Sequence, residues 1–209
     1  MIFPNAQSII EALGGFAVFG VALIIFFETA TILGSFLPGD SLLFLLGLSL
    51  ASYLTTFPVW LALLLVFVAA VLGSQVGFWL GGKVGSGLFQ RKQTWFFNEK
   101  VLKRTEAFFE RYGARSIILA RFVPILRALI PMLSGIVGLN RGSFFRFNLI
   151  GGFAWVVGIM TLGYLLGTND FVHQHIEGVI LSFVILSSLP LPIELLRDFF
   201  MRRSTVARK

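Results

Sequence analysis

Four ionisable side chains lie inside otherwise apolar sequence, next to proline-containing breaks. Glu28 and Asp40 stand on either side of a Gly/Pro break, and Arg121 and Arg127 stand on either side of Pro124. A charge at the centre of a bilayer costs on the order of 3 kcal/mol. We therefore expect these groups to face a shared polar cavity, with the acids near the bases. Two alternatives stay open: the groups could lie at the membrane interface, or they could form static ion pairs that hold the segments together.

The spacing of the two arginines predicts an anion site. Arg121 and Arg127 are six positions apart in the sequence. On a continuous helix their side chains would point about 240° away from each other. Pro124 breaks the backbone hydrogen-bond ladder and moves Val123 out of the helical region, so that both guanidinium groups can point at one ligand. The planar fork of arginine suits phosphate oxygens. Arg121 and Arg127 are thus predicted to bind phosphate, and the protonatable acids Glu28 and Asp40 to couple proton entry to anion movement.

Other chemistry is hard to find in the sequence. The chain has no cysteine, which excludes disulfides and thiolate sites. His173 and His175, with Asp170 and Glu177 nearby, are two residues apart in a short loop, which makes a poor chelate and favours a solvated loop. No nucleophile elbow and no nucleotide-binding loop is present. We expect no metal, no cofactor and no enzymatic activity.

The composition is that of a protein solvated by lipid. Of 209 residues, 56% are hydrophobic and only 13% are charged, and the mean hydropathy is +0.88. The net charge of +7 comes from basic residues between and after apolar runs, where cytoplasmic loops carry them. This placement argues against nucleic-acid binding. Met1 to Leu13 has no basic start and no small-residue cleavage site, so we expect no cleaved signal peptide.

The first half of the chain is predicted to form a re-entrant hairpin followed by a crossing helix. The apolar segment 12–51 is interrupted near Pro38 and Gly39, and its second arm has roughly ten residues where a spanning helix needs about twenty. Residues 57–80 are long enough to cross. Glycines four residues apart predict a smooth packing face at the end of this helix: Gly73, Gly77, Gly81 and Gly85. This face could pack within the chain or between chains, which leaves a homo-oligomer open.

The second half repeats this plan after a basic segment. Residues 83–115 carry eight Lys/Arg and predict an amphipathic helix on the cytoplasmic membrane surface, or else a solvated loop helix. A second hairpin over 116–139, with Pro124 and Pro131 at its tip, keeps both basic flanks cytoplasmic. Crossing segments 149–168 and 179–196 follow, and the basic tail 197–209 is predicted to be cytoplasmic.

An internal repeat with an offset of 86 residues relates the halves, 12–85 and 116–168. The matching elements are Phe36-Leu37-Pro38 with Phe122-Val123-Pro124, Gly77 to Gly81 with Gly163 to Gly167, and Phe67 with Phe153. Because each unit contains one crossing, the second unit is inverted relative to the first, an architecture that transporters use. Gly163 and Gly167 are accordingly predicted to pack as Gly77 and Gly81 do. The fold is thus predicted to be an all-α polytopic membrane protein, a single domain of inverted repeats.

The motifs around both breaks resemble the DedA family, the bacterial branch of the VTT (SNARE-associated Golgi) membrane proteins. The resemblance covers about residues 10–200 and is carried by Phe27-Glu28, by Phe36 to Phe44, and by Ala120 to Arg127 with Pro131 and Gly135. It implies a lipid transporter with two opposed re-entrant hairpins in the bacterial cytoplasmic membrane. It further implies recycling of undecaprenyl phosphate with the help of proton motive force. The important family positions match at Glu28, Asp40, Arg121 and Arg127, whereas many relatives have Gly-Asp where this chain has Gly73-Ser74.

The sequence therefore favours a proton-coupled translocase for an anionic lipid, a polyprenyl phosphate or a phospholipid. A less selective phospholipid scramblase and a proton-coupled ion transporter use the same four residues and remain alternatives. An intramembrane lipid phosphatase and a purely structural role are more remote. The tryptophans are interpreted as interfacial anchors or packing residues: Trp60, Trp79, Trp95 and Trp155.

Overall fold

The architecture is all-helical wherever the computed structural model describes the chain, at residues 15–31, 34, 37–52, 57–91, 109–168 and 178. Six helices are bounded within these residues, and no strand occurs among them. They are α1 (Gly15–Ala30), α2 (Gly39–Ser52), α3 (Val59–Arg91), α4 (Ser116–Ala120), α5 (Pro124–Ile136) and α6 (Arg141–Gly167). Residues 109–112 are also helical. The predicted all-α class is confirmed, whereas the predictions for 92–108, 179–196, the two histidines and the basic tail lie outside the described residues.

Two of these helices are long and apolar enough to cross a membrane. Val59–Lys83 within α3 and Arg141–Gly167 have mean hydropathies of 2.4 and 1.9, and only a third of each is buried inside the protein. The second begins eight residues before the predicted crossing at 149. Asn140 explains this start, because its side-chain oxygen accepts hydrogen bonds from the backbone N–H groups of Gly142 and Ser143 at 3.0 and 3.1 Å.

Within the described residues four helices are too short to cross: α1 with 16 residues, α2 with 14, α4 with 5 and α5 with 13. The break before α5 has a local cause, since Val123 is extended (φ −109°, ψ 114°) as the residue before a proline must be. Pro38 precedes α2, Gly39 begins it, and Pro124 begins α5. Pro131 differs from its prediction as a tip residue. It lies inside α5, which continues past it and ends near Gly138, a glycine with a φ of +69°.

Glycines bring the short helices against the long ones. α2 packs on α6, and both α5 and α1 pack on α3. A Cβ on Gly163 would overlap the Phe44 carbonyl oxygen of α2, and one on Gly81 would overlap the Met132 carbonyl oxygen of α5. Gly73 likewise leaves room for α1, Gly77 lies against α1 and α5, and Gly167 lies against α2. At these positions the glycine faces pack within the chain.

The outer surface is apolar and the interior carries the polar groups. Large hydrophobic side chains are exposed along each long helix and along α1, among them Phe16, Phe19, Leu64, Leu72, Phe153 and Leu165. Where the chain is described, ten polar or charged residues are buried instead, including Glu28, Arg121, Arg127 and Asn148. This inversion of the pattern of soluble proteins is what a hydrocarbon solvent requires.

Candidate functional site

Arg127 is held between two carboxylates that come from different helices. Its Nη1 donates to Asp40 Oδ1 at 2.6 Å, and its Nη2 donates to Glu28 Oε1. Glu28 lies near the end of α1, Asp40 in the first turn of α2, and Arg127 in the first turn of α5. Both ends of the guanidinium fork are therefore occupied, in the geometry with which arginine also binds phosphate. The prediction that acids and bases from the two proline breaks meet agrees with this arrangement.

The local backbone explains how these charges are accommodated. Asp40 stands at the N-terminus of α2, where the helix dipole favours a negative charge. Gly39 leaves room for the Glu28 carboxylate, which a Cβ at that position would displace. Glu28 is 1% exposed and Arg127 is 4% exposed, while the Asp40 side chain is 20% exposed. Asp40 is therefore the edge at which this ion-pair cluster is accessible.

Arg121 has a different set of partners. Its Nη2 donates to the Ala70 carbonyl oxygen at 2.8 Å, and its Nη1 donates to the Asn148 side-chain oxygen and, at 3.3 Å, to the Asn148 carbonyl oxygen. No carboxylate of the described residues pairs with it. The side-chain nitrogen of Asn148 donates in turn to the Val71 carbonyl oxygen at 3.1 Å. Arg121 thus joins the end of α4 to both long helices through neutral oxygens.

Trp155 connects the two arginines. The centre of the Arg127 guanidinium lies 4.3 Å from the centroid of the Trp155 ring, and that of Arg121 lies 5.8 Å from it. The indole N–H donates to Asp40 Oδ1 at 2.8 Å. The two arginines therefore converge on one side chain, as the break at Pro124 predicted, but on a tryptophan of the protein. The Trp155 ring thus contacts the Arg127 guanidinium, and its N–H orients Asp40, one of the two carboxylates that Arg127 binds.

Sequence reasoning missed two residues of this site, Trp155 and Asn148. Trp155 is 1% exposed and is not an interfacial anchor, whereas Trp60 and Trp79 are exposed at 67% and 51%. One signal was available: Trp155 lies in the middle of a crossing segment, away from the interfaces where anchoring tryptophans gather. Asn148 could have been noticed as a polar residue at the edge of the same apolar segment, since such amides bond to neighbouring helices.

A cavity of about 10 Å³ lies between the arginines, and Ser74, Arg121, Arg127, Pro131 and Asn148 are among the residues that line it. Its size is that of about one water molecule. The Nε atoms of both arginines are buried, and the described residues offer neither a hydrogen-bond partner. Ser74 donates to the Ala70 carbonyl oxygen of its own helix. The site thus contains two acids and two arginines with balanced formal charge.

The structure offers no sign of metal chemistry in this region. Across the part of the chain that is described, no group of three or more His, Cys, Asp or Glu residues could hold a metal ion. What the site can do is exchange partners of a buried guanidinium: carboxylate for carboxylate, or carboxylate for another oxyanion.

Comparison with known proteins indicates a class of membrane protein. Residues 37–165 match the VTT domain, and relatives that align with most of the chain are named as membrane proteins. "Uncharacterized membrane protein Rv0364" of Mycobacterium tuberculosis is 38% identical over 88% of this chain and 81% of its own length. "Protein DedA" of Escherichia coli is 37% identical over 84% and 80%, and "Inner membrane protein YqjA" of the same species is 33% identical over 87% and 80%. The chain is a membrane protein and belongs to the DedA family, as the resemblance predicted. No solved structure is significantly similar to it.

Proposed function

We propose that the protein translocates an anionic lipid, with polyprenyl phosphate as its first candidate, across the bacterial inner membrane in exchange for protons. The observation that carries this proposal is the fork of Arg127, which is buried among apolar helices and filled by the carboxylates of Glu28 and Asp40. A buried guanidinium with two carboxylates is expensive to maintain for stability alone, since a well-packed apolar replacement is often as stable. Ionisable groups at membrane depth are therefore functional candidates.

The proposed cycle is an exchange of oxyanions at Arg127. The two carboxylates occupy the positions that two phosphate oxygens would take on the same fork. Protonation of Glu28 or Asp40 removes a negative charge from the fork, which then accepts the lipid phosphate. Asp40, which is 20% exposed, gives protons and headgroup their approach. The apolar tail of the lipid stays in the bilayer throughout, so that only the headgroup enters the protein.

Binding of a phosphate group requires the site to open. The cavity between the arginines has about 10 Å³, which is room for one water molecule and not for a phosphate. Glu28 and Asp40 lie on α1 and α2, and Arg127 lies on α5, so separating the two helix breaks would open the site between them. The arrangement described above corresponds to an occluded state in which the carboxylates substitute for the substrate.

We further propose that the halves are inverted repeats, each with a re-entrant hairpin, and that the basic segment 83–115 and the tail 197–209 are cytoplasmic. Reciprocal packing supports the inverted repeats: the short helix α2 of the first half lies on α6, and α5 of the second half lies on α3. Phe67 and Phe153, which are equivalent in the repeat, contact each other edge to face with centroids 6.0 Å apart. Equivalent residues that touch each other are expected at a two-fold axis.

Headgroup translocation in proteoliposomes tests the proposal. Wild-type protein is expected to move a polyprenyl phosphate when a pH gradient is applied. Arg127→Ala and Asp40→Asn should each reduce the rate at least tenfold, because the first removes the fork and the second removes the charge of one of its two carboxylates. Arg146→Gln is the matched control, since Arg146 is an exposed cation on α6 outside the site. If Arg127→Ala and Asp40→Asn fold and transport at the full rate, the assignment is wrong.

Two alternative activities would use the same residues, and the same proteoliposome assay distinguishes them from the proposed one. The fork of Arg127 recognises an oxyanion and not a prenyl chain, which favours a phospholipid scramblase as the second candidate. Transport that needs no pH gradient and is not inhibited by polyprenyl phosphate would identify the scramblase, and proton flux with a small anion alone would identify an ion transporter. We propose no enzymatic step. Release of inorganic phosphate from the lipid would instead identify a phosphatase.

A further inference from the structure

A groove of about 840 Å³ lies on the surface between α3 and the turn that joins α5 to α6. On α3 it is lined by Leu72, Val76, Trp79 and Lys83, and across from them by Leu139 and Arg141. All of these except Leu139 are well exposed. The groove is separate from the arginine site, because α3 and α5 are in close contact between the two: a Cβ on Gly135 would overlap the Phe78 carbonyl oxygen.

Polarity changes in one direction along this groove. The α3 positions 72, 76, 79 and 83 follow one another by three or four residues, so they share one helix face. They run from aliphatic side chains through an indole to an ammonium group. At about 1.5 Å per residue the distance from Leu72 to Lys83 is roughly 16 Å, which is about the thickness of the hydrocarbon in one leaflet. The groove thus has the length and the polarity gradient of one lipid molecule.

The charged end of the groove is cationic. Lys83 and Arg141 line it, and no acidic side chain of the described residues does. Lys83 Nζ lies 4.2 Å from the centroid of the Trp79 ring, a cation–π contact that holds the ammonium at this end. The backbone N–H groups of Gly142 and Ser143, in the first turn of α6, already donate to the side-chain oxygen of Asn140. Anion binding here would therefore depend on the two cationic side chains, and not on the helix terminus.

We propose that this groove binds one anionic phospholipid from the leaflet that Lys83 and Arg141 face. The lipid phosphate lies between these two cations, its glycerol region lies against Trp79, and one acyl chain lies along Leu72 and Val76. The inference requires a membrane protein but no translocation, so it does not depend on the proposed function. Its ligand is a resident or regulatory lipid, distinct from the lipid phosphate that Arg127 would bind.

Native mass spectrometry of the purified full chain in detergent tests this inference. The protein is titrated with phosphatidylglycerol, with phosphatidylcholine of the same acyl chains, and with inorganic phosphate. Each cation near an anionic headgroup contributes a factor of about five to affinity. The double variant Lys83→Gln/Arg141→Gln should therefore bind phosphatidylglycerol about 25-fold more weakly, with little change for phosphatidylcholine. Lys83→Arg/Arg141→Lys, which keeps both charges, should retain binding and shows that the groove still folds.

The controls distinguish the groove from the arginine site. Arg146→Gln removes one exposed cation outside the groove and should bind phosphatidylglycerol like the wild type. Arg127→Ala should also retain it. If Arg127→Ala keeps the helical circular dichroism of the wild type but loses binding, the lipid occupies the arginine site, and the groove proposal is overturned while the proposed function stands. Equal affinity of the wild type for both phospholipids, or displacement of the lipid by millimolar phosphate, would overturn it as well.

Discussion

The ion-pair cluster around Arg127 allows stability and function to be measured separately. In Arg127→Gln, Glu28 and Asp40 both lose their cation, and Glu28 is left as a carboxylate that is only 1% exposed. Removal of one partner from a buried ion pair typically costs 3–5 kcal/mol. Loss of the cation above Trp155 adds a smaller contribution. We expect the free energy of unfolding to fall by about 4 kcal/mol.

A second substitution should reverse most of this loss. In Glu28→Gln/Arg127→Gln no unpaired charge remains at the buried position. Asp40 keeps the hydrogen bond from Trp155 and its partial exposure. The double variant should therefore be more stable than Arg127→Gln by about 2–3 kcal/mol, although it lacks one more charged group. Glu28→Gln alone should be destabilising, because it removes a carboxylate from a buried guanidinium.

Reversible unfolding in mixed micelles gives the four free energies of this double-mutant cycle, and the proteoliposome assay gives the four transport rates. We expect stability to recover in the double variant while transport stays at the level of empty vesicles. Recovery of both would mean that the charges serve only to join the helices, and would refute the proposed role. A double variant no more stable than Arg127→Gln would refute the buried pairing itself.

Three further changes test other contacts by the same unfolding measurement. Trp155→Phe keeps the ring but removes the N–H that bonds Asp40, and should cost about 1.5–3 kcal/mol; a loss below about 0.5 kcal/mol would contradict that bond. Gly163→Ala should destabilise by about 1–3 kcal/mol because its Cβ overlaps the backbone of α2, whereas Gly158→Ala, with nothing within 4 Å, should be neutral or stabilise by up to about 1 kcal/mol. Equal effects of these two alanines would argue against the packing of α2 on α6. Arg121→Lys should lose at least one charged hydrogen bond, because one ammonium cannot span acceptors on both long helices. The free energy of unfolding should fall by about 1.5 kcal/mol or more. Wild-type stability of this variant would show that the Arg121 guanidinium fork is not needed.

Much of the fold could be read from local signals. The breaks at Pro38 and Pro124, the two long crossing helices, and the glycine faces all depend on residues close in sequence, and each has a local physical cause. The prediction failed where a local signal was ambiguous. Pro131 has the composition of a turn residue but lies inside α5, since tertiary packing on α3 holds the helix together past a missing N–H.

The candidate site was predictable in its charges but not in its pairing. Because isolated charges are costly in lipid, the presence of Glu28, Asp40, Arg121 and Arg127 in apolar sequence was enough to predict that they would be sheltered together. Which arginine meets the acids was not contained in the spacing. Arg127 takes both carboxylates, whereas the two Nη atoms of Arg121 donate to neutral oxygens.

The amino-acid sequence by itself determined the solvent of this protein, the positions at which its helices break, and the identity of the charged groups that must be buried. These properties follow from composition and from the covalent restriction of proline, which act within a few residues. Tertiary structure alone decided that Trp155 lies near both arginines and that the Ala70 carbonyl oxygen accepts from Arg121. Partners that are 28 to 51 residues apart in the chain meet only when helices pack, and a carbonyl oxygen carries no mark in the sequence of which side chain will reach it.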